Sequence, residues 1–179
     1  MRNLRLKRFI SNGGVVAYPT ESCFGLGCDP QNLRGIKKLN ILKNRSVTKN
    51  FILISSELRQ IKGFVKGFNK KQVQMLYAKW PGPHTWLIRA NPKCPAWLKR
   101  NDKVAIRIPD LNTCQDLLTS ISMAITSTSA NKTKHRPIKN YREACRQYGQ
   151  RVHIVKGRIG KNKKPSKIQD FETKVIIRR

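Results

Sequence analysis

The chain has 179 residues, 39% of them hydrophobic, and carries 38 Lys and Arg against nine Asp and Glu, a formal net charge of +29. That length suits one folded unit with a single core, no apolar run approaches the roughly 20 residues a membrane span requires, and the opening MRNLRLKRFISNGG lacks the apolar centre of a secretory signal. A surface this basic attracts polyanions through phosphate neutralisation and counterion release, so nucleotides and RNA are candidate partners, although compositional drift toward Lys and Asn would produce the same surplus.

In chain order, short β-branched runs read as strands: VVAY (15–18), FILIS (51–55), TWLIR (85–89), VAIRI (104–108), MAITS (123–127), VHIV (152–155) and VIIR (175–178). The polar stretch PTESCFGLGCDP after the first run reads as a turn rich in Gly, Ser, Thr and Cys. Leu33, Ile36, Leu39 and Leu42 recur at helical spacing, as do Val73, Leu76, Tyr77 and Trp80, and LNTCQDLLTSI and NYREACRQY are further helices. Strands alternating with helices predict an α/β or α+β domain whose sheet is covered on at least one face. KGRIGKNKKPSK (156–167) reads as a flexible basic loop.

Several chemistries lack their parts. No acid lies between Asp29 and Glu57 or between Glu57 and Asp102, so paired-carboxylate catalysis and a carboxylate-held two-metal site are hard to build. His84, His135 and His153 have no HxxxH spacing, and the five scattered cysteines (Cys23, Cys28, Cys94, Cys114, Cys145) form no CxxC pair, so no metal site is expected. Neither a GxxxxGK[ST] loop nor a GxGxxG fingerprint is present. The chain is expected to be cytoplasmic with no membrane partner, and the acid-poor N-terminus leaves organelle targeting as the alternative.

Three segments suit an anion. In LKNRSVTK, Lys43, Arg45 and Lys49 can converge on a polyphosphate, or simply complement a helix C-terminus. In AITSTSAN an apolar strand ends in four hydroxyls and an asparagine, groups that each need a hydrogen-bond partner and sit where ligands gather in α/β sheets. In VAIRIPD, Arg107 sits within an alternating strand and requires an anion, either a substrate carboxylate or, disfavoured by the scarcity of acids, an internal one.

These motifs, YPTESCFGLGCDP, then KNR 23 residues after Thr20, WPGPHTW, VAIRIPD, STSAN and PSKIQD, resemble in order and spacing the YrdC/TsaC family of L-threonylcarbamoyladenylate synthases. The resemblance runs from about Val15 to Arg178 and is to the stand-alone type. It implies one YrdC-like domain over 1–179, with a twisted mixed sheet flanked by helices around a deep basic cavity. It implies synthesis of threonylcarbamoyl-AMP and pyrophosphate from L-threonine, bicarbonate and ATP, with Mg2+ carried by the nucleotide phosphates. The product would pass to a separate transferase complex that modifies the adenosine beside the anticodon of tRNA.

Carried over by motif, the catalytic set is Lys43, Arg45, Ser129 and Asn131. ATP falls to Arg45, Lys49, Ser129 and Arg178, and threonine to Thr20, Ser22, Arg107, Ser127 and Ser166, with Thr20 and Glu21 shaping the pocket mouth. The sequence departs from the family at Thr133-Lys134, where Ser-Gly is usual, at Ser46 and Asn50, where Pro or a small residue is usual, and at Lys161, where a glycine is common. Two other readings stand beside this one. One is a non-enzymatic basic protein that binds RNA or assists ribosome assembly on the same fold. The other is the carbamoyl-adenylate module of hydrogenase-maturation proteins, whose additional domains are not visible in this sequence.

Overall fold

The structure is a computed structural model that describes residues 4–44, 51–132, 135–162 and 164–178. Helix α1 (Leu4–Ser11) precedes strands β1 (Val16–Pro19) and β2 (Phe24–Gly27), helix α2 (Leu33–Lys43) and strand β3 (Ile52–Ile54). Helix α3 (Lys70–Tyr77) leads to β4 (His84–Arg89), β5 (Lys99–Arg100), β6 (Lys103–Arg107), α4 (Asn112–Ile121) and β7 (Ile125–Ser129). Helix α5 (Tyr141–Tyr148) and strands β8 (His153–Ile154), β9 (Lys167–Asp170) and β10 (Ile176–Arg178) complete the chain. The described strands form one mixed sheet in the order β10-β9-β4-β6-β3-β7-β2-β1-β8, with β5 paired to β6. The pairs β1–β8, β3–β6 and β4–β9 are parallel and the rest antiparallel.

Period-two alternation divides the strands between two faces. Val15, Ala17, Phe24, Leu26, Leu53, Trp86, Ile88, Val104 and Ile106 join Ile36, Leu39 and Leu42 of α2, Leu76 of α3 and Tyr148 of α5 in the larger core. Val16, Tyr18, Ile54 and Ile125 pack with Leu6 and Ile10 of α1 and Leu117, Leu118 and Ile121 of α4 in a second cluster. On the face of α1 and α4, the same strands carry Lys103, Ala105, Arg107, Ser127 and Ser129, and these line a cavity instead of meeting a helix. The cavity is therefore the part of that face the two helices leave uncovered.

The strand alternation foreseen from sequence is present, but three strands (β2, the two-residue β5 and β9) and one helix were not foreseen. β2 lies inside the PTESCFGLG stretch expected to be a turn. Its glycines are used for close approach: a Cβ at Gly25 would lie 2.9 Å from the Tyr18 ring, and one at Gly27 would lie 2.2 Å from the Thr126 carbonyl oxygen. Phe24 and Leu26, both fully buried, supply the alternate face. β9 begins at the end of the supposed basic loop, because Lys167–Asp170 pairs in parallel with β4. Helix α1 is hidden in the sequence by Arg5, Lys7 and Arg8, with only Leu6 and Ile10 buried.

The 156–167 segment is also more firmly held than a solvated loop. Gly160 N–H donates to the Thr20 carbonyl (3.0 Å) and Asn162 N–H to the Glu21 carbonyl (3.0 Å). A Cβ at Gly160 would lie 2.8 Å from Glu21 Cα, so the contact requires glycine. Replacing Gly27 with Ala forces β2 away from the Thr126 carbonyl. The expected loss is about 1–3 kcal/mol of stability, read as a lowered denaturant midpoint at unchanged slope.

Candidate functional site

The cavity has a volume of about 820 Å³. The ends of β7 and β2, the turn at 20–23, the inward residues of β6 and the 165–168 and 177–178 segments converge on it. Of the residues singled out from sequence, Thr20, Ser22, Arg107, Ser127, Ser129, Ser166 and Arg178 line it. Lys43 and Asn131 stand behind the wall, bonded to Ser129. Arg45 and Lys49, and the departures at Ser46, Asn50 and Thr133-Lys134, lie outside the described residues.

Lys43 is 4% exposed at the last turn of α2. Its ammonium donates to the Ser129 carbonyl, the Asn131 carbonyl (2.9 Å) and Asn131 Oδ1 (3.0 Å). Ser129 Oγ donates to the same Oδ1 (2.7 Å), and Asn131 Nδ2 reaches the His135 carbonyl (2.6 Å). A buried ammonium is tolerated only when its donors are matched in this way, and the match fixes the STSAN turn at the end of β7. The helix supports the geometry: Asn32 caps its start by accepting from Gly35 N–H (3.1 Å), and Asn44 ends it in the left-handed region at φ 47°.

Arg107 lies among three elements. Its Nε donates to the Gly82 carbonyl (2.9 Å) in the WPGPH turn, and one terminal nitrogen makes an ion pair with Glu21 Oε1. The acid disfavoured as a partner on sequence grounds is thus present. Only nine acids exist, but this one is held in place by the Asp110 N–H, which donates to Glu21 Oε1 (2.7 Å).

Arg178 donates through Nε and Nη2 to the Ser166 carbonyl (3.1 and 2.7 Å) and through Nη2 to Ser166 Oγ (3.2 Å). Ser166 Oγ also shares a hydrogen with Thr85 Oγ1 (2.8 Å). Burial pulls the Arg178 guanidinium below its ordinary pKa, and the like charge of Arg107 adds to the effect. An anion between the two arginines would relieve that repulsion.

Sequence reasoning missed Lys103, Arg100 and Cys23 on the cavity wall, whereas Thr128 belongs to the hydroxyl run of AITSTSAN singled out above. Lys103 could have been found, because it stands four residues before Arg107 on an alternating strand and so shares its face. Its ammonium pairs with Asp170 and with Glu172 Oε2 (3.5 Å). Tyr18 was also missed; its hydroxyl donates to Ser127 Oγ (2.8 Å). Burial drives that phenol well above its ordinary pKa, so it remains a donor at neutral pH.

Burial likewise raises the Cys23 thiol, which leaves it protonated and poorly suited to nucleophilic attack. No group of three or more His, Cys, Asp or Glu residues placed to hold a metal occurs among the described residues. No described helix is long and apolar enough to cross a membrane.

The model of the Sua5/YciO/YrdC family, described as "Telomere recombination", matches residues 8–179. A threonylcarbamoyl-AMP synthase of Methylobacillus flagellatus is 43% identical over 179 residues, covering 99% of both chains. A protein of the same name from Thiobacillus denitrificans is 39% identical, covering 97% of this chain and 93% of its own. Among solved structures, P. abyssi Sua5 complexed with L-threonine superposes with a TM-score of 0.82 at 23% identity, over 93% of this chain and 49% of that longer one. E. coli YciO gives 0.80 at 21% identity, over 100% and 90%. These two structures share the fold.

Two measurements check the site's physical chemistry. Lys43→Met removes the ammonium shared by the Ser129 carbonyl, the Asn131 carbonyl and Asn131 Oδ1, and the expected cost is about 1–3 kcal/mol in chemical denaturation. The His84 imidazole, buried at the start of β4, is held below its ordinary pKa by burial and then by the charges of Lys167 and Lys79. The unfolded chain therefore takes up this proton more readily. The stability that depends on it is fully present above the ordinary value of about 6.5 and is lost as pH falls toward the lowered folded value. His84→Gln should flatten the decline in melting temperature between about pH 7 and 5.

Proposed function

The chain belongs to the Sua5/YciO/YrdC family, and from that premise we propose that its cavity joins L-threonine, bicarbonate and ATP into threonylcarbamoyl-AMP, with pyrophosphate as the second product. Full-length relatives that bear the name threonylcarbamoyl-AMP synthase support the activity. The observation that carries the site assignment is the pair Arg107 and Arg178, two mutually repelling cations on one cavity rich in hydroxyls.

In this reading Arg107, Thr20, Ser22, Ser127 and Ser166 receive threonine, whose carboxylate meets the guanidinium not fully used by Gly82 and Glu21. Arg178 and Ser129 face the triphosphate, joined by Arg45 and Lys49. Lys43 and Asn131 act through Ser129 by fixing the turn that presents it. The threonine amine adds to bicarbonate-derived CO2, forming an N–C bond and leaving a carbamate, while the amine proton and the hydroxide lost from bicarbonate leave as water. A carbamate oxygen then attacks the α-phosphorus in line, forming the O–P bond as the bond to pyrophosphate breaks.

Both reactants are anions at that step. Cationic walls and fixed donors are what the step requires, and no covalent protein nucleophile is involved. Glu21 and Asp170 are committed to Arg107 and Lys103, so any Mg2+ would be held by the substrate's own phosphates, where it would offset their charge. The product, a mixed anhydride, passes to a transferase that modifies tRNA beside the anticodon, and the basic surface offers tRNA an electrostatic approach.

The test is pyrophosphate release by the purified chain with each substrate omitted in turn. Release that needs both L-threonine and bicarbonate is expected. Release from ATP alone would overturn the three-substrate reaction, and none from a folded sample that binds RNA in a salt-sensitive way would favour the non-enzymatic reading. Within an active enzyme, Arg107→Ala should raise the KM for L-threonine by tenfold or more, and Arg178→Ala should act mainly on ATP.

A further inference from the structure

Glu21 is 7% exposed and does not line the cavity, whereas its neighbours Thr20 and Ser22 do. It is nonetheless the point at which three segments meet. Its Oε1 accepts from the Asp110 N–H just beyond β6 and makes the ion pair with Arg107. Its own carbonyl accepts from Asn162 N–H, and Gly160 packs against its backbone. Its Oε2 is buried and has no hydrogen-bond partner among the described residues, nor does the Arg107 nitrogen that forms the ion pair.

An acid that costs desolvation on both oxygens, and satisfies only one, is poorly explained as a stabilising bridge. Its placement instead constrains Arg107. The Gly82 carbonyl takes Nε and Glu21 takes one end of the fork, so the plane of the guanidinium is set from two directions. A guanidinium held this way meets a planar carboxylate without first losing its own rotational freedom.

We propose that Glu21 is a positioning residue for the amino-acid substrate: its carboxylate, steadied by the Asp110 amide, orients Arg107 so that the remaining donors receive the substrate carboxylate. The inference rests on the assignment of that carboxylate to Arg107. Glu21 touches no substrate. Its negative charge also offsets part of the Arg107–Arg178 repulsion, which keeps Arg107 from swinging away before the anion arrives. The loop at 156–162 is tied to the Glu21 backbone, so a side-chain substitution leaves that tie in place.

The test uses the full chain and steady-state pyrophosphate release, titrating L-threonine at saturating ATP and ATP at saturating L-threonine. Glu21→Gln keeps an acceptor for the Asp110 amide but removes the charge. It should raise the KM for L-threonine roughly tenfold, leave the KM for ATP within about twofold, and change kcat less than the threonine KM. In the double variant with Arg107→Ala, adding Glu21→Gln should cause no further rise, because Glu21 acts only through Arg107. A merely structural acid would affect both substrates and would add to Arg107→Ala.

An unchanged threonine KM in Glu21→Gln, in an enzyme that Arg107→Ala impairs, overturns the positioning role and leaves the site assignment standing. An unchanged threonine KM in Arg107→Ala overturns the assignment itself and this inference with it. If Glu21→Gln does not fold, Glu21→Asp decides the matter: the carboxylate withdraws by one methylene, and a wild-type threonine KM there also overturns the proposal.

Discussion

The ion pair between Glu21 and Arg107 is the contact on which the cavity most depends, because it lets a cation stand in a buried wall before any substrate is present. Taking a guanidinium out of water is costly unless its charge is met, and this chain has few acids with which to meet it. Three of the nine are committed at or behind the cavity, Glu21 to Arg107 and Asp170 with Glu172 to Lys103. Burial alone would raise the Asp170 carboxyl, but the bond from Lys103 and the amides of Thr173 and Glu172 outweigh it and hold the group below its ordinary range. Among the described residues, Arg100 and Arg178 have no acidic side chain within ion-pair distance. The wall is therefore partly neutralised where rigidity is needed and left positive elsewhere.

The sheet makes this arrangement possible. One face is packed by α2, α3 and α5, while the other is packed only where α1 and α4 lie. On the remainder of that face the alternate positions need not be apolar. They hold Lys103, Ala105 and Arg107 on β6 and Ser127 and Ser129 on β7. Three of the wall serines are braced by neighbouring side chains: Ser127 by Tyr18, Ser129 by Asn131 and Lys43, and Ser166 by Thr85 and by Arg178 of the wall itself. The support costs the protein little motion on binding, since the donors are already oriented.

Much of this was legible in the chain. The alternation around Arg107 placed it on a strand face, and the hydroxyl run ending at Asn131 announced a strand end with bonding demands. What was not legible had physical causes. Glycine carries no hydrophobic signal, so Gly25 and Gly27 hid a strand whose register depends on their lacking a Cβ. The partner of Arg107 lies 86 positions earlier in the chain, and its selection depends on the amide of Asp110, which no pattern in the sequence exposes. Lys43 looked like a phosphate ligand because a lysine at a helix end is ordinarily exposed; here tertiary packing turns it inward onto Ser129 and Asn131.

The surplus of positive charge has different consequences inside and outside the cavity. On the surface, charges further apart than about 8 Å are largely screened at physiological ionic strength, so the outer lysines act mainly on encounter with polyanions. Inside, the proposed reaction brings a carbamate up to a phosphate. Two unit negative charges about 3.5 Å apart repel by roughly 5 kcal/mol at an effective dielectric near 20, and cations fixed in the wall offset that term without reorganising. A wall neutralised at every position would lose this offset, and one without Glu21 and Asp170 would be harder to bury. The two acids mark the compromise between a cavity that folds and one that brings anions together.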